Sequence, residues 1–187
     1  MVSQDQKVIL VTGSRKGIGR KLVEYYTEKG HSVIGCSRSE SDFTHQNYTH
    51  HCLDVADETA VKSVIKQIKT NYGRVDVLIN NAGIASLNHS LLTPTTTLNS
   101  LWNTNFVGTF LFSREAAKLM SKSKFGRIVN FSTVAVPLNL AGEAIYASTK
   151  SAIEELTRIM AKELAEFGVT VNAVGPTPID TDLTKVV

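Results

Sequence analysis

Six short apolar segments alternate with helical patterns along this chain of 187 residues. Short apolar strands joined by helical crossovers form parallel sheets that are covered on both faces. The sequence therefore predicts an α/β fold with a doubly wound parallel sheet in three α/β/α layers. The polar stretch Ser37–Asn47 predicts a crossover without a helix. The predicted strands are Lys7–Val11, Ser32–Cys36, Tyr48–Leu53, Val75–Ile79, Arg127–Phe131 and Val169–Val174, and the predicted helices are Ile18–Lys29, Glu58–Tyr72, Leu98–Lys122 and Tyr146–Phe167.

Length and composition narrow the class of protein. An apolar content of 42% is enough for a buried core, and we expect residues 1–187 to form one domain. The net charge of +3 is small and the charges are scattered, which argues against a nucleic-acid site. The polar start, Met1–Gln6, does not resemble a secretory signal, and the apolar stretches are too short to span a bilayer. These features predict a cytoplasmic protein without a membrane partner.

The cysteines and histidines do not predict a metal site. Cys36 and Cys52 lie on consecutive predicted strands without metal-ligand spacing, so we expect two free, buried thiols in a reducing compartment. The His50–His51 pair has no cysteine or carboxylate cluster beside it.

A glycine-rich turn joins the first predicted strand to the first predicted helix. Its spacing is Gly-x-x-x-Gly-x-Gly, in the strand–turn–helix context that a dinucleotide-binding loop requires. Gly13 would allow the tight turn, Gly17 a close approach to a pyrophosphate, and Gly19 close packing of the helix. The helix N-terminus would offer N–H groups to the phosphates, whereas the alternative is an ordinary strand-to-helix turn. The candidate cofactor-binding residues here are Gly13, Ser14, Arg15, Lys16, Gly17, Ile18 and Gly19.

The residues that follow the second predicted strand indicate which nucleotide the site would bind. An NAD site usually has a carboxylate near this point for the ribose 2′-hydroxyl. Here Ser37 and Arg38 follow the strand, and the first carboxylate is Glu40. Arg38, with Arg15 and Lys16 in the turn, suits a 2′-phosphate, so the sequence favours NADP(H) over NAD(H). The alternative is that the three cations are solvated surface residues.

Tyr146 and Lys150 are spaced four residues apart, which puts both side chains on one face of a helix. A lysine ammonium beside a phenol would lower the pKa of the phenol. Such a tyrosine could exchange a proton with an alcohol or a ketone near neutral pH. The pair alone is weak evidence, because this spacing is common on solvated helices.

In their order along the chain, these motifs resemble the short-chain dehydrogenase/reductase family in its single-domain form, and within it the 3-oxoacyl-carrier-protein reductases. The resemblance runs from about Lys7 to Thr184. It implies a Rossmann fold, a catalytic pair of Tyr146 and Lys150, and a proton relay through Asn105. It also implies further cofactor-binding residues at Asp54, Val55, Asn81, Ala82, Gly83, Tyr146, Lys150, Pro176 and Thr181.

Two positions depart from the family pattern. The active-site hydroxyl of the family is normally a serine, but the alignment places Thr133 there, with Ser132 as the alternative. Because side chains alternate along a strand, one of the two neighbours should face the site. Thr177 stands where the family has glycine, which could alter the loop that carries Thr181 toward the nicotinamide.

The resemblance implies an NADPH-dependent reductase that transfers hydride between the nicotinamide and a carbonyl or alcohol substrate, such as a 3-oxoacyl thioester. It also implies a homo-oligomer, a dimer or a tetramer. The rival interpretation is a non-catalytic nucleotide-binding protein that retains the Rossmann core. Relatives continue beyond the point at which this chain ends, so either a naturally short protein or a fragment is expected, and the sixth strand would then be an exposed edge.

Overall fold

The computed structural model describes residues 6–181, which form a parallel sheet of six strands. The strand order is β3-β2-β1-β4-β5-β6, and all five strand pairings are parallel. The direction of winding reverses between β1 and β4, and α/β folds bind ligands at the carboxyl ends of the strands at such a switch point. The doubly wound parallel sheet is therefore confirmed. The strands are β1 Val8–Thr12, β2 Ser32–Ser37, β3 Tyr48–Cys52, β4 Val77–Asn80, β5 Gly126–Phe131 and β6 Val169–Val174.

Six α-helices accompany the described strands, and the β2–β3 crossover contains none, as predicted. Helix α2 begins at an Asp57 side chain that accepts hydrogen bonds from two backbone N–H groups and ends at the left-handed Gly73. These are the capping residues that the sequence pattern of a helix requires. The helices are α1 Gly17–Glu28, α2 Glu58–Tyr72, α3 Thr95–Leu101, α4 Gly108–Ser123, α5 Ala135–Leu138 and α6 Ala144–Leu164.

Alternate residues of the central strands enter two hydrophobic clusters, one on each face of the sheet. On β1, Val8 and Leu10 pack in the larger cluster with residues of α2 and α4, while Ile9 and Val11 pack in the smaller one with Val23 of α1. All four β1 residues are at most 1% exposed. The sheet therefore has helices on both faces, and its carboxyl edge is left for the site.

The predicted helix Leu98–Lys122 is interrupted. The α-helical hydrogen bonding of α3 gives way to π-helical bonding over Trp102–Val107 before α4 begins. A π-helical segment places one extra residue in a turn and often occurs at functional sites. Here it contains the fully buried Asn105.

The two cysteines differ in their exposure. Cys36 is buried as predicted, but Cys52 is exposed because it lies on the edge strand β3, so the expectation of two buried thiols is wrong for Cys52.

The strand β6 is the other edge of the sheet, and its last residue Val174 is 47% exposed. The expectations about residues 1–5 and 182–187, including Thr184, lie outside the described residues.

Candidate active site

The turn between β1 and α1 is fixed by the neighbouring strands. The N–H of Gly13 donates to the carbonyl oxygen of Cys36 at 2.8 Å. The Nδ2 of Asn81 donates to the carbonyl oxygens of Thr12 at 3.0 Å and Gly13 at 3.1 Å. Gly13 has φ = 68°, and a Cβ added there would lie 2.8 Å from the Cα of Ala82. Neither the backbone conformation nor the space admits a larger residue at this position.

The other two glycines of the turn play different parts. A Cβ at Gly19 would lie 2.2 Å from the carbonyl oxygen of Gly13, so α1 packs against the turn as predicted. Gly17 has φ = 58°, and a Cβ there would meet Thr181 at 3.5 Å and no closer described atom. The start of α1 therefore presents bare backbone to the space beside Thr181, and backbone N–H groups at a helix N-terminus can bind a phosphate.

A cavity of about 380 Å³ lies against this turn, at the carboxyl ends of β1, β2 and β4. A cavity at the switch point of a parallel sheet, with a glycine cradle at one side, fits a dinucleotide. Thirteen of the predicted cofactor-binding residues line it: Gly13, Arg15, Lys16, Gly17, Ile18, Ser37, Arg38, Asp54, Val55, Asn81, Ala82, Gly83 and Thr181.

The remaining predicted residues do not line the cavity. Ser14 is fully buried behind the turn, and Gly19 is buried in the start of α1. Pro176 lies near the Thr133 turn, where its carbonyl oxygen accepts a 3.3 Å hydrogen bond from the N–H of Val134. Tyr146 and Lys150 are also absent from the described lining residues, although the Nζ of Lys150 would lie 3.5 Å from a Cβ added to the lining residue Gly83. The cavity walls that sequence reasoning missed are Ser39, Ile84, Ala85 and Thr104.

One end of the cavity is lined by cations. Arg15, Lys16 and Arg38 all contribute to its wall. Glu40, the first carboxylate after β2, lies near the Cys52 thiol on β3, whose pKa it raises, and is absent from the described lining residues. Asp54 lines the cavity, and its Oδ1 accepts a 2.9 Å hydrogen bond from the N–H of Ala56 in a turn.

Thr133 and Tyr146 face each other. The Thr133 side chain lies close enough to the Tyr146 hydroxyl to lower its pKa, and the Oγ1 of Thr133 accepts from the N–H of Ala135 at 3.2 Å. The neighbouring Ser132 is 5% exposed and donates its hydroxyl to the Oε1 of Glu154 at 2.5 Å. The adjacent hydroxyl groups thus have different partners, and Thr133 is the one at the tyrosine.

Lys150 does not lower the pKa of Tyr146 in this structure, contrary to the expectation from their spacing. Its Nζ donates to the carbonyl oxygen of Phe131 at 2.7 Å, and burial lowers the pKa of Lys150 to about 8. Burial raises the pKa of Tyr146, and the Glu143 carboxylate raises it further, against the opposing effect of the Thr133 hydrogen bond. Burial therefore sets the direction of both pKa shifts, and neither group is a cause of the shift of the other.

Asn105 is held between the loop after β4 and α6. Its Oδ1 accepts from the N–H of Ile84 at 2.9 Å, and its Nδ2 donates to the carbonyl oxygen of Ile84 at 3.0 Å and to Thr149 Oγ1 at 3.1 Å. The amide is fully buried and has partners at both ends. These contacts join the cavity wall to the helix that carries Tyr146.

Gly83 is the point at which the cavity meets the buried polar groups. A Cβ added to it would lie 3.4 Å from the Oδ1 of Asn105 and 3.5 Å from the Nζ of Lys150. Because Gly83 lines the cavity, the Lys150 ammonium lies just behind the cavity wall. Lys150 therefore connects the cavity, with its glycine loop and cations, to the helix that carries Tyr146.

The described residues 6–181 contain neither a candidate metal site nor a candidate membrane-spanning helix. No group of three histidine, cysteine or acidic side chains within them could hold a metal ion. None of their helices combines the length and the apolar character needed to cross a membrane.

A glycine cradle at the switch point and a tyrosine–lysine pair at the end of the cavity define a dinucleotide-dependent oxidoreductase. The chain belongs to the short chain dehydrogenase family, whose model matches residues 7–187. It is therefore an NAD(P)-dependent oxidoreductase that acts on carbonyl and alcohol groups.

Curated relatives share much of this chain. It is 37% identical to the 3-oxoacyl-[acyl-carrier-protein] reductase FabG of Vibrio cholerae over 185 residues, which cover 96% of this chain and 76% of the relative. It is 35% identical to the enzyme of the same name from Escherichia coli, with the same coverage.

Solved structures have the same fold. ElxO with NADP bound superposes with a TM-score of 0.90 at 36% identity, covering 96% of this chain and 77% of that one. The aldohexose dehydrogenase of Thermoplasma acidophilum superposes with a TM-score of 0.91 at 32% identity, covering 96% and 69%.

Proposed function

We propose that this chain is an NADPH-dependent carbonyl reductase whose substrates are 3-oxoacyl thioesters. The observation that carries the proposal is the placement of Thr133 beside the Tyr146 hydroxyl, next to a buried lysine and near a cavity that three cations line. The identity to two 3-oxoacyl-[acyl-carrier-protein] reductases supports this substrate class.

Tyr146 and Thr133 have different roles in the proposed reaction. When bound, the cofactor supplies the hydride. Tyr146 keeps its proton at neutral pH, because burial raises the pKa of its phenol, and can therefore donate that proton to a carbonyl oxygen as negative charge develops there. Thr133 lies beside the same hydroxyl and can hydrogen-bond the same substrate oxygen, which orients the carbonyl.

Lys150 and Asn105 support the reacting groups from behind. The Lys150 ammonium lies behind Gly83 and would hold the ribose of a bound dinucleotide. The Asn105 amide bonds Ile84 and Thr149, so it acts as a positioning residue that holds the cavity wall against α6.

The cofactor preference rests on charge. Three cations line the cavity, while Glu40 is turned to Cys52 and Asp54 is the carboxylate among the described lining residues. A 2′-phosphate would gain charge-assisted hydrogen bonds at the cationic end. The NADP bound to ElxO, a structure at 36% identity, is consistent with this preference.

The decisive experiment measures NADPH oxidation by absorbance with a 3-oxoacyl thioester and a panel of simple ketones. Tyr146→Phe keeps the ring and removes the proton donor, so it should lose nearly all turnover and retain NADPH binding in a titration. Turnover in the Tyr146→Phe variant close to that of the parent would overturn the proposed mechanism. NADPH binding by the parent without oxidation on any carbonyl compound would favour the non-catalytic alternative.

We also propose a homo-oligomer in the cytoplasm. The α4–α6 face exposes apolar side chains, with Phe110 36% exposed and Ile159 47% exposed beside a shallow cavity. Burying such a face against a second copy would stabilise an assembly. Light scattering coupled to size exclusion measures the mass, and a monomer at micromolar concentration would contradict the proposal.

A further inference from the structure

A set of hydrogen-bonded side chains on β3 lies behind the cationic end of the cavity, and the proposed function does not use it. Tyr48 and His50 are two residues apart on β3, so both side chains lie on the same face of the strand. The Tyr48 hydroxyl lies 2.7 Å from the Nδ1 of His50. The Nε2 of His50 lies 3.0 Å from the Oγ of Ser37 and 3.1 Å from the carbonyl oxygen of Ser39. Ser37 and Ser39 both line the cavity, on either side of Arg38.

The other end of this set reaches the glycine-rich turn. The Oγ of Ser14 lies 3.2 Å from the Tyr48 hydroxyl and 3.4 Å from the carbonyl oxygen of Cys36. A Cβ added to Gly35 on β2 would lie 2.3 Å from the Tyr48 hydroxyl and 2.4 Å from the Ser14 Oγ. Because glycine has no side chain, Gly35 leaves the space in which the Tyr48 hydroxyl reaches the Ser14 hydroxyl.

The chemistry of each atom fixes the direction of these hydrogen bonds. The carbonyl oxygen of Ser39 can only accept, so the Nε2 of His50 carries a proton and donates. In the neutral ring the Nδ1 then accepts from the Tyr48 hydroxyl. The Ser14 hydroxyl has one proton, which it can direct either to the Tyr48 oxygen or to the Cys36 carbonyl oxygen. The Oγ of Ser37 donates to the Ser39 carbonyl oxygen at 2.7 Å. Every polar group of the set is paired, which orders the turn formed by Ser37–Ser39.

We propose that Tyr48 and His50 are positioning residues for cofactor specificity, because they fix the Ser37–Ser39 turn in the shape that receives the 2′-phosphate of NADPH. This inference rests on the proposed NADPH preference and deepens it. His50 and Tyr48 do not line the cavity among the described residues, so their effect passes through Ser37, Ser39 and the intervening Arg38. An unordered turn would still allow the adenosine and the pyrophosphate to bind, but it would no longer hold the phosphate ligands together.

The test compares four variants of the full chain by titration with NADPH, NADH, 2′,5′-ADP and 5′-ADP. His50→Leu and Tyr48→Phe should weaken NADPH and 2′,5′-ADP by about five- to tenfold, as expected for the loss of one or two ordering hydrogen bonds. Affinity for NADH and 5′-ADP should change by less than about twofold. His50→Gln should restore most of the affinity, because its amide N–H can donate to the Ser39 carbonyl oxygen.

The matched control is His51→Leu, which makes the same change one residue along β3, where the side chain lies on the opposite face. It should leave the ratio of NADPH to NADH affinity at the parent value. Melting temperatures of all variants distinguish a loss of folding from a loss of cofactor specificity. If His50→Leu does not fold, the ratio of NADPH to NADH affinity in Tyr48→Phe tests the proposal.

The outcomes separate this inference from the function on which it rests. A parent that prefers NADPH, with His50→Leu and Tyr48→Phe variants that keep the same ratio, would overturn the positioning role and leave the proposed function standing. Equal weakening of NADPH and NADH would reduce the pair to a general structural role and would also overturn it. A parent without any NADPH preference would contradict both proposals.

Discussion

The side chain of Thr133 lies beside the hydroxyl of Tyr146 and lowers the pKa of that phenol, against the burial that raises it. The two groups come from different elements, since Thr133 follows β5 and Tyr146 lies in the first turn of α6. A substrate oxygen that accepted a proton from Tyr146 would therefore lie within reach of a second donor. Two donors aimed at one developing charge are the usual arrangement for stabilising an oxyanion.

The first prediction concerns the two neighbouring hydroxyl groups. Thr133→Val keeps the shape of the side chain and removes its hydroxyl, so we expect kcat to fall by about 10²–10³, as for the loss of one oxyanion donor. Thr133→Ser should remain active because it keeps the hydroxyl. Steady-state kinetics with NADPH and a 3-oxoacyl thioester measure these effects.

Ser132→Ala is the matched control for Thr133→Val, because the Ser132 hydroxyl is directed to Glu154. We expect a mild effect on kcat. An inactive Ser132→Ala beside an active Thr133→Val would reverse the assignment, and normal activity in both would place carbonyl orientation elsewhere.

The sheet and the cofactor cavity were predictable because their signals are local. Strand periodicity, the glycine-rich turn and the motif around Asn81 depend on residues close together in the chain, and the structure brings them to one edge of the sheet. The exposure of Cys52 was not predictable, because it depends on which strand takes the edge. That residues 1–187 form a single domain stays a prediction.

The details of the catalytic end could not be read from the sequence. The π-helical segment accompanies an Asn105 amide that bonds Ile84, a residue of a different loop. The direction of the Tyr146 pKa shift follows from burial, which the spacing to Lys150 cannot reveal. Contacts between elements distant in sequence decide these features, so a spacing rule predicts the pair but not its electrostatics.

The second prediction tests the cationic end of the cavity. Arg38→Ala should weaken NADPH binding by roughly tenfold or more and leave NADH binding nearly unchanged, because a charge-assisted phosphate contact contributes about 1.5–3 kcal/mol. Fluorescence titration gives both dissociation constants. Arg158→Ala removes the same charge from the exposed face of α6 and should leave both constants unaltered. Equal affinity of the parent for NADPH and NADH would refute the preference.

The third prediction concerns stability and pH. Because burial lowers the pKa of Lys150 from 10.5 to about 8, the unfolded chain binds more protons than the folded one between these values. The free energy of unfolding should therefore gain from Lys150 as pH rises from about 8 toward 10.5. At about 1.4 kcal/mol per pKa unit, the full gain would be about 3 kcal/mol.

Lys150→Met isolates this contribution, because methionine fills similar space without a titrating group. Urea unfolding at several pH values should show parent stability rising relative to the variant across that window. A difference between the two proteins that does not change with pH would mean that Lys150 titrates normally in the folded state.

The last prediction concerns Glu143, three residues before Tyr146. Its Oε2 is buried and has no hydrogen-bond partner among the described residues, and its charge adds to the burial that raises the pKa of Tyr146. Glu143→Gln removes that charge, so the pKa of Tyr146 should fall. Carbonyl reduction requires the protonated phenol, and kcat/KM should therefore decline at a lower pH than in the parent, whereas alcohol oxidation should begin at a lower pH.

Glu155→Gln makes the same change on the exposed face of α6, where Glu155 pairs with Arg158, and should leave both profiles in place. A Glu143→Gln profile that coincides with the parent, or that moves to higher pH, would show that this carboxylate does not act on Tyr146.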